Sequence, residues 1–194
     1  MKTRTMLALS ALAVWSTAAM HANEFGTVLK GWWVAGTAPQ DYDLGLTTSG
    51  CQSGKCAYIK SIVPAPRGFA TLMQQLAPDN YVGKRLRVSA ALRTEDAAKA
   101  QLWLRIDGPN GQSLGFYNMD DRPVTGTTGW KHYEVVLDVP VQAVGVAFGY
   151  FLFGKGEVWA DDFKLETVGK EVPVSMASSA KPLPKNPANM NFNQ

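Results

Sequence analysis

From Lys84 to Arg93 the chain alternates: Leu86, Val88, Ala90 and Leu92 fall on one side, Arg85, Arg87, Ser89 and Ala91 on the other. Gln101 to Asp107 repeats the pattern, with Leu102, Leu104 and Ile106 opposed to Trp103, Arg105 and Asp107. A period of two over such lengths marks strands buried on one face. Ala57–Ile62, Trp130–Val139, Val144–Phe153 and Val158–Thr167 read as further strands from their β-branched and aromatic content. Asp107-Gly108-Pro109-Asn110-Gly111 is a hairpin signal, because Asn-Gly supplies the positive φ a tight turn needs. Gly126-Thr127-Thr128-Gly129 and Gly154-Lys155-Gly156 punctuate the later strands. Helical residues are expected only as a short turn at Thr94–Lys99. Several strands at regular spacing with Gly-rich turns predict an all-β, two-sheet β-sandwich.

The two ends are set apart from this pattern. Met1-Lys2-Thr3-Arg4, an apolar run from Met6 to Trp15 and small residues up to Ala22 read as a signal peptide over 1–22. The run is too short to span a membrane as a helix. After Val168 the chain turns rich in Pro, Ser, Ala and Asn, which reads as a flexible tail over 169–194. Residues 23–168 are the expected domain, and export to the periplasm or the extracellular space is the expected location. In that oxidising setting Cys51 and Cys56 are expected to pair.

These divisions change the meaning of the charge. The whole chain carries +3. Lys2 and Arg4 belong to the leader, while Lys170, Lys181 and Lys185 against Glu171 belong to the tail. Residues 23–168 keep 14 basic and 15 acidic residues, net −1. No helix-turn-helix pattern is visible, so nucleic acid is not an expected partner. The two histidines are His21 and His132, too few for a multi-histidine metal site in the mature chain. Gly111-Gln112-Ser113-Leu114-Gly115 matches the G-x-S-x-G string of serine hydrolases. A strand, not a helix, is expected after it, so the nucleophile elbow that motif requires is missing. Paired acids occur at Asp120-Asp121 and Asp161-Asp162, and turn capping is the simpler role for them.

The suggestive feature is the polar side of neighbouring strands. Trp103 and Arg105 share a face, Arg87 stands on the preceding alternating run, and Tyr117, Asn118, Asp120 and Arg122 follow the hairpin. A flat aromatic beside Arg, Asn and Asp suits a sugar, whose C–H faces stack while its hydroxyls hydrogen-bond. Trp32, Trp33, Trp130 and Trp159 are assigned to the core.

Motifs along the chain resemble a known group. They are Asn23 and Phe25, Gly31-Trp32, Ser53-Gly54-Lys55, Gln74, Tyr81-x-Gly83-Lys84-Arg85 and Leu102-Trp103-Leu104-Arg105. Phe116-x-Asn118-Met119-x-Asp121-Arg122-Pro123, Gly126-Thr127-Thr128-x-Trp130, Val135 to Pro140, Phe148-Gly149 and Val158-Trp159-x-Asp161-Asp162 follow. Together they resemble a bacterial galactose-binding-like jelly-roll domain, similar in outline to carbohydrate-binding modules. Some relatives are labelled transcriptional regulators, a label not carried over to a chain with a leader and no DNA-binding pattern. The resemblance adds Gln74 to the candidate ligand residues and implies a structural calcium ion near Glu24, Asp161 and Asp162. Related modules carry Glu directly after the entry Phe, where this chain has Gly26. The group often has Phe-Asp-Asn-Met where this chain has Phe116-Tyr117-Asn118-Met119.

The expected function is therefore an exported, non-catalytic binding module for carbohydrate or another small polar ligand. The alternatives are a structural or protein-interaction module of the cell envelope, with the tail as the partner's site, and a carboxylate-dependent glycan-active enzyme.

Overall fold

The computed structural model describes residues 29–176 and 190. The signal-peptide reading, Glu24, and the tail from 177 onward other than Met190 lie outside the described residues. Among the described residues nine strands form in chain order: β1 (Trp33–Gly36), β2 (Tyr42–Thr47), β3 (Cys56–Ser61), β4 (Phe69–Leu76), β5 (Arg85–Asp107), β6 (Ser113–Tyr117), β7 (Val124–Asp138), β8 (Gly145–Phe153) and β9 (Glu157–Val168). Every pairing is antiparallel. Among the described residues there is no α-helix, only short 3-10 turns at Pro39–Asp41 and Pro109–Gly111. No helix among them is long and apolar enough to cross a membrane.

The two alternating runs seen in the sequence are one strand. β5 holds 23 residues. Its first half pairs with β7 and β9, and its second half with β8 and β6. The register shifts between Leu92 and Thr94, between Thr94 and Ala97, and between Ala97 and Ala100, and Asp96 sits at φ 47°. The segment expected to form a helical turn, Thr94–Lys99, is therefore a series of β-bulges that bend the strand. On one side of the bend lies a sheet of β7, β5, β9, β3 and β2; on the other lies β1, β4, β8, β5 and β6. This is the two-sheet β-sandwich jelly roll.

One apolar core fills the sandwich. Tyr42, Ile59, Leu86, Val88, Leu92, Val135, Leu137 and Val158 come from the first sheet, and Leu72, Leu102, Leu104, Ile106, Val146, Phe148, Tyr150 and Leu152 from the second. The Asn-Gly hairpin forms as expected, with Asn110 at φ 59° and Gly111 at φ 75°. The ordered fold also runs beyond Val168, into the segment the sequence assigned to the tail. Arg85 Nη1 donates to the carbonyls of Lys170 (2.9 Å) and Val172 (2.6 Å). Ser175 N–H donates to Val136 O and Ser175 Oγ accepts from Val136 N–H. Val174 packs against the core. Residues 169–176 thus strap the edge of β7.

Cys51 and Cys56 form the expected disulfide. The loop it closes is also held by Gly50 O, which accepts from Trp130 Nε1 (3.0 Å) and Arg93 Nη1 (3.2 Å), and by Asp161, which accepts from Ser53 N–H and Oγ. Of the four tryptophans assigned to the core, Trp32 packs against it. Trp159 is buried, but it faces outward beneath the Arg93 guanidinium at 4.6 Å. Trp130 is half-buried. Trp33 is 39% exposed and is corrected to a surface position.

Two stability measurements check this packing. Tyr150 is wholly buried and its hydroxyl has no hydrogen-bond partner. Tyr150→Phe is therefore expected to raise the unfolding free energy by about 1 kcal/mol, because it deletes an unsatisfied polar group; urea unfolding that shows a loss contradicts the assignment. Replacing both cysteines by Ser reopens a short loop, of sequence separation 5, and is expected to cost about 2 kcal/mol in the same assay by loop-entropy arithmetic.

Candidate ligand-binding face

Residues directly opposed in antiparallel strands share a face. With Leu102, Leu104 and Ile106 of β5 turned into the core, Lys99, Gln101, Trp103, Arg105 and Asp107 must face outward. The register extends this set across the second sheet. One row runs Trp33, Met73, Gly149, Trp103. Beside it lies Gln75, Ala147, Arg105, Phe116, and on the other flank Ala35, Thr71, Phe151, Gln101. Phe69, Phe153 and Lys99 close one end.

Trp103 forms the floor of this face and is not an exposed platform. It is 6% exposed and packs with Met73 and Ala147, and with the half-buried Ala35 and Phe151. Its Nε1 donates to Thr71 Oγ1 at 3.0 Å, and Thr71 Oγ1 donates to the Tyr150 carbonyl at 2.8 Å. Thr71 stands on β4, two strands away from β5, a separation of about 9.6 Å. The indole must therefore lie across β8. Gly149 is the β8 residue directly opposite Trp103, and a Cβ there would come within 2.2 Å of the Leu72 carbonyl. The close approach of β4 and β8 at this point requires glycine.

The surface around this floor carries the exposed aromatics: Trp33 (39%) on edge strand β1, Phe116 (54%) on edge strand β6 and Phe153 (47%) at the end row. Two polar groups stand between them. Arg105 donates through Nε to Asp107 Oδ1 (2.6 Å) and through Nη2 to Oδ2 (3.2 Å), and Gln75 Nε2 donates to the same Oδ2 (3.2 Å). At the other end, Asp120 Oδ1 accepts from Lys99 Nζ (2.6 Å) and Gln101 Nε2 (3.2 Å). The Lys99 ammonium first, and then the Gln101 amide, hold the Asp120 carboxyl below its ordinary value of 3.8. Asn118 Oδ1 accepts from Asp120 N–H and braces the turn.

Arg105, Asn118 and Asp120 thus belong to one region, and other sequence candidates are elsewhere. Gln74 shares the parity of Leu72, so it turns away from this face. Arg87 lies on the outer side of the other sheet, paired with Glu166 (2.9 Å) and Glu134 (3.3 Å). Tyr117 is buried on the core side, and its hydroxyl donates to Asp121 Oδ1. Arg122 is tied to Tyr117 Oη and the Glu134 carbonyl, where it locks the loop before β7. Trp33, Phe116, Phe153, Lys99, Gln101, Gln75 and Asp107 were not among the candidates. Strict alternation through Trp32-Trp33 and Phe116-Tyr117 was the signal for two of them.

Of the expected calcium set, Asp161 and Asp162 are among the described residues and Glu24 is not. Asp161 accepts from Ser53 and from Asp162 N–H, while Asp162 is turned to Lys164 Nζ at 3.0 Å. Among the described residues no three His, Cys, Asp or Glu side chains converge as a metal site.

No protein-family model matches the chain. A curated protein of Bacillus subtilis (strain 168), named an uncharacterized HTH-type transcriptional regulator, YbfP, is 39% identical over 169 residues. The match covers 86% of this chain and 57% of that protein, so the chain spans little more than half its relative's length. Solved structures share the architecture. A family 22 carbohydrate-binding module of Clostridium thermocellum Xyn10B superposes with TM-score 0.53 at 14% identity, covering 77% of this chain and 92% of that one. TmCBM61, solved in complex with β-1,4-galactotriose, gives TM-score 0.51 at 16% identity over 74% and 94%. A family 16 module gives 0.53 at 12% over 72% and 98%. At these identities the likeness establishes the fold, the jelly roll of carbohydrate-binding modules.

The Lys99–Asp120 pair sets a pH test. A depressed folded-state pKa contributes stability above the ordinary carboxylate value, and that stability is lost as pH falls through the lowered one. The carboxyl carbon of Asp120, followed by NMR, is expected to titrate with a midpoint below 3.8. In Lys99→Met that midpoint rises toward 3.8, because the cation that is the largest cause is gone.

Proposed function

We propose that the protein is an exported, non-catalytic module that binds carbohydrate on the outer face of the β1-β4-β8-β5-β6 sheet. The observation that carries this reading is the placement of two exposed aromatics, Trp33 and Phe116, on opposite edge strands, with the Arg105–Asp107–Gln75 group between them. Four inter-strand spacings separate the two edges, about 19 Å. Rings at that spacing can stack on the C–H faces of sugar units several residues apart along one chain, while Arg and Gln between them donate and Asp accepts. The solved modules with this jelly roll include one holding β-1,4-galactotriose, which supports the ligand class.

A non-catalytic role is supported by the carboxylates of the face. Asp107 is neutralised by Arg105 and Asp120 by Lys99. Glycoside hydrolysis wants one carboxyl kept protonated near neutral pH, and Asp120 is shifted the other way. Export is supported by the leader reading and by the Cys51–Cys56 bond, which belongs to oxidising compartments. In the relative named a transcriptional regulator, the matching segment belongs to a longer chain. A ligand-binding unit serves in both settings.

Titration calorimetry of the full chain against a panel of soluble neutral oligosaccharides tests the reading. Binding to at least one class is expected. Trp33→Ala and Phe116→Ala should each weaken it about tenfold, the equivalent of about 1.4 kcal/mol of lost stacking. Absence of binding across the panel, or affinity untouched by both substitutions, overturns it.

A further inference from the structure

We propose that the corner of this face formed by Phe153, Lys99 and Asp120 takes an acetamido group, so that the preferred ligand is an N-acetylated amino sugar. The inference rests on the binding-face reading above and names its substrate class. An acetamido group presents three features in a fixed order: an apolar methyl, a carbonyl acceptor and an N–H donor. The site that reads it needs an apolar surface, a donor and an acceptor side by side.

The corner supplies all three. The Phe153 ring is 47% exposed, and the half-buried Phe69 and Phe151, with ring centroids 5.4 Å apart, extend the same apolar wall. Lys99 Nζ stands 5.9 Å from the Phe153 centroid. It gives one N–H to Asp120 Oδ1 and keeps two for a carbonyl. Gln101 Nε2 also donates to Oδ1. Both protein donors therefore converge on one carboxylate oxygen, and Oδ2 of the exposed Asp120 has no partner among the described residues.

The other polar group of the face lacks this combination. Asp107 uses both oxygens, on Arg105 and Gln75. A hydroxyl at the Phe153 corner could satisfy Lys99 and Asp120, but it would leave the ring uncovered. A carboxylate or an ammonium would meet a pair that is already neutral.

The test compares two β-1,4-linked tetrasaccharides that differ only at the 2-position, tetra-N-acetylchitotetraose and cellotetraose, by calorimetry on the full chain. The acetylated sugar is expected to bind at least tenfold tighter. Phe153→Ala should bring that ratio close to one by weakening the acetylated sugar far more than cellotetraose, and Phe153→Leu, which keeps an apolar surface, should retain most of it. Equal affinity for the two sugars overturns the inference, as does a Phe153→Ala variant that weakens both alike. Binding to neither also overturns it, while the wider oligosaccharide panel decides the carbohydrate reading separately.

Discussion

The bend in β5 is the constraint on which the rest depends. One strand of 23 residues is hydrogen-bonded into both sheets, so the angle of its bend sets how they close on each other. Inward-facing positions are Leu86, Val88, Ala90 and Leu92 before the bend, then Ala97, then Ala100, Leu102, Leu104 and Ile106. From Leu92 to Ala97 and from Ala97 to Ala100 the steps are odd, so the alternation inverts twice and returns to its original phase. A one-residue slip in either bulge would turn Trp103 and Arg105 inward and Leu102 and Leu104 toward solvent. Asp96, at φ 47°, belongs to the small polar residues that tolerate the left-handed region such a bulge uses.

Around that strand the outer face is built as a packed layer. A side chain lying flat over a neighbouring strand needs a partner on the far side. Thr71 is the partner, and Gly149, opposite Trp103, lets β4 and β8 approach closely where the indole crosses. The hydroxyl of Thr71 passes the bond on to the Tyr150 carbonyl, so the indole is tied through a β4 side chain to the backbone of β8, the strand it crosses. Rings and ion pairs at the margin are thereby held on a floor with little room to move, the condition under which hydrogen-bonding groups keep their aim.

Much of the fold was legible because alternation is a local property. Strand identity, the Asn-Gly hairpin, the Cys51–Cys56 bond and the shared face of Trp103, Arg105 and Asp107 all follow from neighbours in sequence. The misplacements have specific causes. Arg87 alternates in phase with Arg105, but the bend carries it to the other sheet, and a linear pattern does not show a bend. Gln74 enters through the resemblance and Tyr117 through its residue type, and neither source carries the parity of its own strand. Phe153 ends a strand whose other residues are nearly all buried on both faces, so composition alone made β8 look like uninterrupted core. Trp33 and Phe116 were hidden by the usual association of large aromatics with the interior. Exposed aromatics on edge strands break that association, and only the phase of alternation distinguishes them.

The electrostatics of the face follow from the same geometry. Its two cations, Arg105 and Lys99, each stand within 2.6 Å of a carboxylate on the same face, so the region carries donors and acceptors without net charge. Residues 23–168 are themselves close to neutral. Long-range attraction therefore contributes little to choosing a ligand, and discrimination falls to which donor and which acceptor remain unspent once the internal pairs are made. At the Arg105 end Asp107 has neither oxygen left over. At the Lys99 end one carboxylate oxygen and two ammonium protons remain beside an exposed ring. Two ion pairs of the same length thus give two chemically different ends, because Asp107 is gripped through both oxygens and Asp120 through one.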